Sequence, residues 1–178
     1  MFSLFKKRKN NIIFESNVNN FDENKLNIIY ERLTNYKDNC NTYEPISNVE
    51  IESKNIIIGE KLLVKIPNDY KQLLQKSNGI YFGNGIKLLN CDEILEETVI
   101  FKDMMEDWEI GRITKPFLEI IRYHDGNGFV FWYSEINKYV VADYITDYEL
   151  DDLKSLKTFD NICEVIEDLE NRYIKRVN

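Results

Sequence analysis

The sequence predicts a single α+β domain in which an antiparallel sheet packs against helices, and three observations carry that reading. Residues 117–144 hold three short runs rich in aromatic and β-branched residues, separated by turn-forming residues, as in a β-meander. A helical repeat near the end of the chain places Phe159, Ile162, Cys163, Ile166, Leu169 and Tyr173 on one face. The 178 residues are 43% hydrophobic and 13% aromatic, enough for one buried core and too apolar for a disordered chain.

Taken in order, residues 1–20 read as a flexible basic N-terminus ahead of one domain at 21–178. Met1-Phe2-Ser3-Leu4-Phe5 comes before Lys6-Lys7-Arg8-Lys9. A signal peptide has the opposite order and a longer apolar stretch. A first helix is expected from about Asp22 to Tyr36, because Leu26, Ile29, Tyr30 and Leu33 follow the i, i+3, i+4, i+7 pattern and Asp22 or Asn20 can cap it. Asn39–Asn48 is polar, contains Pro45 and reads as a loop. Val49–Ile66 stays ambiguous, with Ile51 and Ile56-Ile57-Ile58 favouring strand.

Pro67 then suits the first turn of a short helix, where its missing N–H costs nothing. Tyr70, Leu73 and Leu74 share a face of that helix, and Asn78-Gly79 is expected to end it, with Gly79 left-handed. Ile86–Leu89 reads as a strand after the Gly83-Asn84-Gly85 turn. Asp92–Met105 reads as a helix with Ile94, Leu95 and Thr98 inward. The meander comprises Phe117–Tyr123, Phe129–Ser134 and Tyr139–Tyr144, joined by turns at Asp125–Gly128 and Ile136–Lys138. The last helix is expected to start at Phe159 with Thr158 as its N-cap, and to run to about Tyr173.

Charge and reactive residues narrow the chemistry. There are 23 Lys and Arg against 31 Asp and Glu, a net charge of −8, which argues against nucleic-acid binding and leaves basic partners open. The three cysteines, Cys40, Cys91 and Cys163, are far apart and fit a reducing, cytoplasmic setting. With a single histidine, His124, no structural zinc site is expected, nor any cofactor. No apolar run approaches the ~20 residues of a membrane-spanning helix.

The two GxG segments lack the third glycine of a dinucleotide fingerprint and read as hairpin turns. Asp125-Gly126-Asn127 starts like a calcium loop, but Phe129 and Ile136 would fall at ligand positions that neither can fill. Cys163 reads as a buried small hydrophobe and Cys91 as the more reactive thiol. No catalytic constellation emerges, so the chain is not expected to be an enzyme. Carboxylates gather in two clusters: Glu96, Glu97, Asp103, Glu106, Asp107 and Glu109, then Asp143, Asp147, Glu149, Asp151 and Asp152. Each can be a solvated face or a docking surface for a basic protein.

Several ordered blocks point to a family. They are Ile66-Pro67-Asn68-Asp69-Tyr70-Lys71-Gln72-Leu73-Leu74 with Ser77-Asn78-Gly79, then Phe117-Leu118-Glu119-Ile120 with Asp125-Gly126-Asn127-Gly128-Phe129, then Thr158-Phe159-Asp160-Asn161-Ile162. Together they resemble the SMI1/KNR4 family of the SUKH superfamily, over roughly residues 49–170. Gly59 stands further ahead of Pro67 than the family's helix-ending glycine, which implies an insertion or a different local structure there.

The resemblance implies a non-enzymatic binding module. Bacterial members are typically immunity proteins that neutralise a cognate polymorphic or contact-dependent toxin, often a nuclease, while fungal relatives are regulatory. The expected function is therefore a cytoplasmic immunity protein for a basic toxin domain, with a regulatory or scaffold protein as the alternative. Pro67, Tyr70, Asn78, Gly79, Gly126, Gly128 and Phe159 then have structural roles. Candidate partner contacts lie on the meander and the acidic segment after it: Tyr123, Asp125, Trp132, Tyr144, Asp147, Glu149, Asp151 and Asp152. Trp132 is open to two readings, exposed anchor or core.

Overall fold

The structure, a computed structural model, describes residues 12–14, 21–35, 40–54, 56–58, 62–82, 85–107, 117–123, 128–143 and 156–174. Helix α1, Glu23–Thr34, forms as its pattern predicts. The Asp22 carboxylate accepts the N–H groups of Asn24 and Lys25 at 2.9 and 3.3 Å, and Leu26, Ile29 and Leu33 are buried. The expected loop before Asn48 contains strand β2, Cys40–Thr42. Helix α2, Asn48–Ser53, takes the place of the strand favoured by Ile51. Ser47 and Glu50 form a capping box there: each side chain accepts the other's backbone N–H, at 3.2 and 3.1 Å.

Strands β3, Ile56–Ile58, and β4, Leu62–Val64, pair antiparallel. Strand β1, Ile12–Phe14, joins β4 in parallel, so part of the segment read as a flexible N-terminus belongs to a small sheet of order β1-β4-β3. The other residues of 1–20 lie outside the described residues. Helix α3, Asn68–Leu74, follows Pro67, which occupies the N-cap position rather than the first turn. The helix ends at Leu74, before the expected Asn78-Gly79 stop. Gly79 does have a positive φ of 103°, but it leads into strand β5, Ile80–Phe82.

The main sheet adds to β2 and β5 the strands β6, Ile86–Leu88; β7, Phe117–Tyr123; β8, Gly128–Tyr133; β9, Lys138–Asp143; and β10, Lys157–Phe159. It is antiparallel throughout, in the order β10-β9-β8-β7-β6-β5-β2 among the described residues. The expected meander is β7-β8-β9. The β8–β9 turn closes through Asn137 at a φ of 51°, a left-handed conformation that asparagine tolerates. The expected turn at Asp125–Gly128 lies outside the described residues up to Gly128, Gly126 included. Helix α4, Cys91–Asp107, lies between β6 and β7 in the chain.

Phe159 and Thr158 are in β10, paired with Tyr139 and Val140, and do not start the last helix. Helix α5, Ile162–Leu169, is capped by Asn161, whose side chain accepts the Glu164 N–H at 3.1 Å, and it continues into a π-helical turn, Glu170–Ile174. The edge strand β10 satisfies backbone groups of β9, which is why the chain stays extended through Phe159.

The meander is buried on both faces. Alternation along the strands sends Leu118, Val130, Trp132, Tyr139 and Val141 into the main core with α1, α3 and α5. It sends Phe117, Phe129, Phe131, Tyr133, Val140 and Ala142 into a second cluster closed by Phe101 of α4. The Phe101 ring meets those of Phe117 and Phe129 edge-on, with centroids 6.1 and 5.1 Å away.

Candidate functional site

The residues in the family-like blocks build a polar framework inside the domain. The Asp69 carboxylate is fully buried. Its Oδ1 accepts the Tyr139 hydroxyl at 2.7 Å and the Tyr70 N–H at 2.8 Å, and its Oδ2 accepts the Ile162 N–H at 2.7 Å. One side chain thus ties α3 to β9 and to the N-terminus of α5. Burial pushes its carboxyl up to about 6, against the pull of those hydrogen bonds. The Tyr70 hydroxyl donates to the Leu89 carbonyl at 2.7 Å and lies 3.3 Å from that of Ile120.

Ser77-Asn78-Gly79 joins three segments. The Ser77 hydroxyl accepts the Tyr43 N–H at 2.9 Å and sits 2.6 Å from the Gly79 carbonyl. The Asn78 side chain accepts the Cys91 N–H at 3.0 Å, at the start of α4. Asn90 caps the same helix by accepting the N–H groups of Asp92 and Glu93. A Cβ on Gly79 would come within 3.2 Å of the Asn90 Cβ. Gly128 lies under the ring of Tyr123, where a Cβ would fall 2.2 Å from a ring carbon.

A second polar cluster joins α4 to the sheet. Glu119 is fully buried and holds Arg122 in a bidentate pair at 2.7 and 2.9 Å, while Arg122 also pairs with Glu97 of α4. Burial pushes the Glu119 carboxyl up to about 7, although the Arg122 guanidinium works the other way. The Glu119 N–H donates to the Thr98 hydroxyl at 2.9 Å. Arg32 of α1 makes a bidentate pair with the buried carboxylate of Glu170.

The candidate contacts divide by position. Trp132 is fully buried against Tyr139, with ring centroids 4.9 Å apart, so of its two readings it takes the core one. Tyr123 is also buried, beneath the backbone at Gly128, with Arg172 Nη2 3.5 Å from its hydroxyl. Neither side chain is open to a partner in this fold. Asp125, Tyr144, Asp147, Glu149, Asp151 and Asp152 lie outside the described residues, as does His124. Cys91, read as the more reactive thiol, is buried, and that burial pushes its thiol up. The Cys163 thiol is pushed up to about 12 by its burial.

Sequence reasoning missed Asp69 as a hub, although the residue stood in a quoted block, and it missed the Glu119–Arg122–Glu97 cluster. It also passed over Val99 and Ile100, which are exposed on α4 beside Glu96 and Asp103. A concavity between α2, β4 and α3 has space for about one water, and two of its lining lysines, Lys71 and Lys54, pair with Glu52 and Asp92. Among the described residues, no group of three His, Cys, Asp or Glu side chains is placed to hold a metal ion, and no helix is long and apolar enough to cross a membrane. No family model matches the chain, and no curated protein matches it either.

Proposed function

We propose that this chain is a non-enzymatic protein-binding module, an immunity protein that neutralises a basic toxin domain by direct binding. The observation that carries this reading is how the carboxylates are divided. Asp69 and Glu170 are buried and engaged by donors from neighbouring elements, and Glu119 is buried and paired with Arg122 of its own strand, so they hold the fold together. The excess negative charge, −8 over the chain, includes exposed side chains such as Glu96 and Asp103. A nuclease or similar toxin presents a basic surface to its substrate, and an acidic protein of complementary shape can occupy that surface.

The resemblance of the Pro67–Gly79 and Phe117–Phe129 blocks to the SMI1/KNR4 family supports the same reading. The test is co-expression with the product of the adjacent gene. The expected result is a one-to-one complex that survives gel filtration at low salt. Elution of the two proteins apart counts against the reading and favours a regulatory role.

A further inference from the structure

Helix α4 is packed on one side and open on the other. Cys91, Ile94, Thr98 and Phe101 are buried, whereas Glu96, Val99, Ile100 and Asp103 are exposed. At 3.6 residues per turn the exposed four fall within an arc of roughly 100°. An aliphatic pair is therefore bordered by acidic positions on one continuous helix face.

Val99 and Ile100 are costly residues to keep there. They are 41% and 56% exposed. Each is β-branched, so each loses side-chain freedom in a helix, and a solvated helix face is better served by Glu, Lys or Gln. The domain covers only part of each side chain. Adjacent exposed aliphatic residues with a charged border are the composition of a contact surface, in which a small apolar centre supplies the lifetime and the border steers the encounter.

We infer that this outer face of α4 is the docking surface for a cationic segment of the protein partner, with Val99 and Ile100 as its apolar centre. This rests on the binding reading above and adds where the partner sits. The charge of the border selects the occupant. An anionic lipid surface or a nucleic acid would be repelled by Glu96 and Asp103, and a second copy of this chain would bring the same negative charge. A protein surface with lysine or arginine around one or two apolar side chains fits both parts of the face.

The test compares wild type with two double variants by surface binding kinetics, using the product of the adjacent gene as the probe. Val99→Gln with Ile100→Gln keeps helix-forming residues at exposed positions, and circular dichroism checks that the fold is retained. The expected result is dissociation at least about tenfold faster with association nearly unchanged. Glu96→Gln with Asp103→Asn should slow association several-fold and flatten its dependence on salt. If wild type binds and the Val99/Ile100 variant binds within twofold of it, the α4 surface is overturned while the binding reading stands. If wild type itself does not bind, both fall. If wild type is a dimer that the Val99/Ile100 variant dissolves, the face serves a second copy and the inference is overturned.

Discussion

Glu119 and Arg122 stand three residues apart on β7, yet their side chains meet on one face of the sheet, with Nε and Oε1 2.7 Å apart. In a regular strand, residues three apart point to opposite faces. The register of β7 against β8 shifts between Glu119 and Ile121, and this bulge returns Arg122 to the side of Glu119. The same irregularity turns the Glu119 N–H toward the Thr98 hydroxyl, and Arg122 reaches Glu97. The bulge is thus the point where α4 is fastened to the meander.

Removing the cation from this pair leaves a buried carboxylate without its partner. Arg122→Leu should destabilise the domain by roughly 3 kcal/mol at pH 8. The loss should be smaller at pH 5.5, because Glu119, already pushed up to about 7, then takes up a proton and sheds its charge. Urea unfolding at the two pH values checks this. Equal losses at both would mean that Glu119 is not the group left exposed to the penalty.

Asp69 gives a prediction with a definite sign. Its folded carboxyl titrates near 6 instead of the usual 3.8, so between about pH 4 and 6 the folded state keeps a proton that the unfolded state has released. Its contribution to stability therefore falls as the pH rises through that window and is level above it. Asp69→Asn removes this dependence and turns an amide donor toward a site lined by three donors, at a cost of roughly 1–3 kcal/mol. The gap between wild type and variant should be wider at pH 4 than at pH 7. A gap that widens toward neutral pH would contradict the assignment.

Gly79→Val should cost at least ~1 kcal/mol, measured as a shift in the denaturant midpoint. Two causes act together. The φ of 103° disfavours a β-branched residue, and a Cβ there would crowd Asn90 Cβ at 3.2 Å and the Leu88 carbonyl at 3.3 Å. An unchanged midpoint would show that the Asn78–Gly79 segment relaxes freely away from α4.

Phe101→Ala should cost roughly 3–5 kcal/mol, as for large aromatic truncations in well-packed cores. Phe101 comes from α4 and packs with Phe117, Phe129 and Phe131 on the face of the meander opposite Trp132. Calorimetric or urea unfolding reads the loss directly. A cost below about 1 kcal/mol would mean that the second cluster is covered from elsewhere.

The regular elements were legible because local pattern and tertiary structure agree in them. The spacing of Leu26, Ile29 and Leu33 gave α1, and the aromatic alternation gave β7, β8 and β9. The misreadings arose where a short segment is decided by its partner. Thr158-Phe159 looks like a helix start, but the edge of β9 holds it as a strand. The Ser47/Glu50 capping box is present in the sequence but was passed over in favour of the β-branched Ile51, although the cap decides that segment. Trp132 could not be assigned from sequence, because a strand buried on both faces has no polar side to mark its orientation. Asp69 was visible in its block, but that an acidic residue near a helix start is buried follows only from the meeting of α3, β9 and α5.

The proposed inhibition is tested most directly by titrating the activity of the adjacent gene's product with this chain. Activity should fall linearly and be abolished at one equivalent, and added salt should weaken the inhibition by slowing association. Full activity in the presence of a several-fold excess of the folded chain would contradict it.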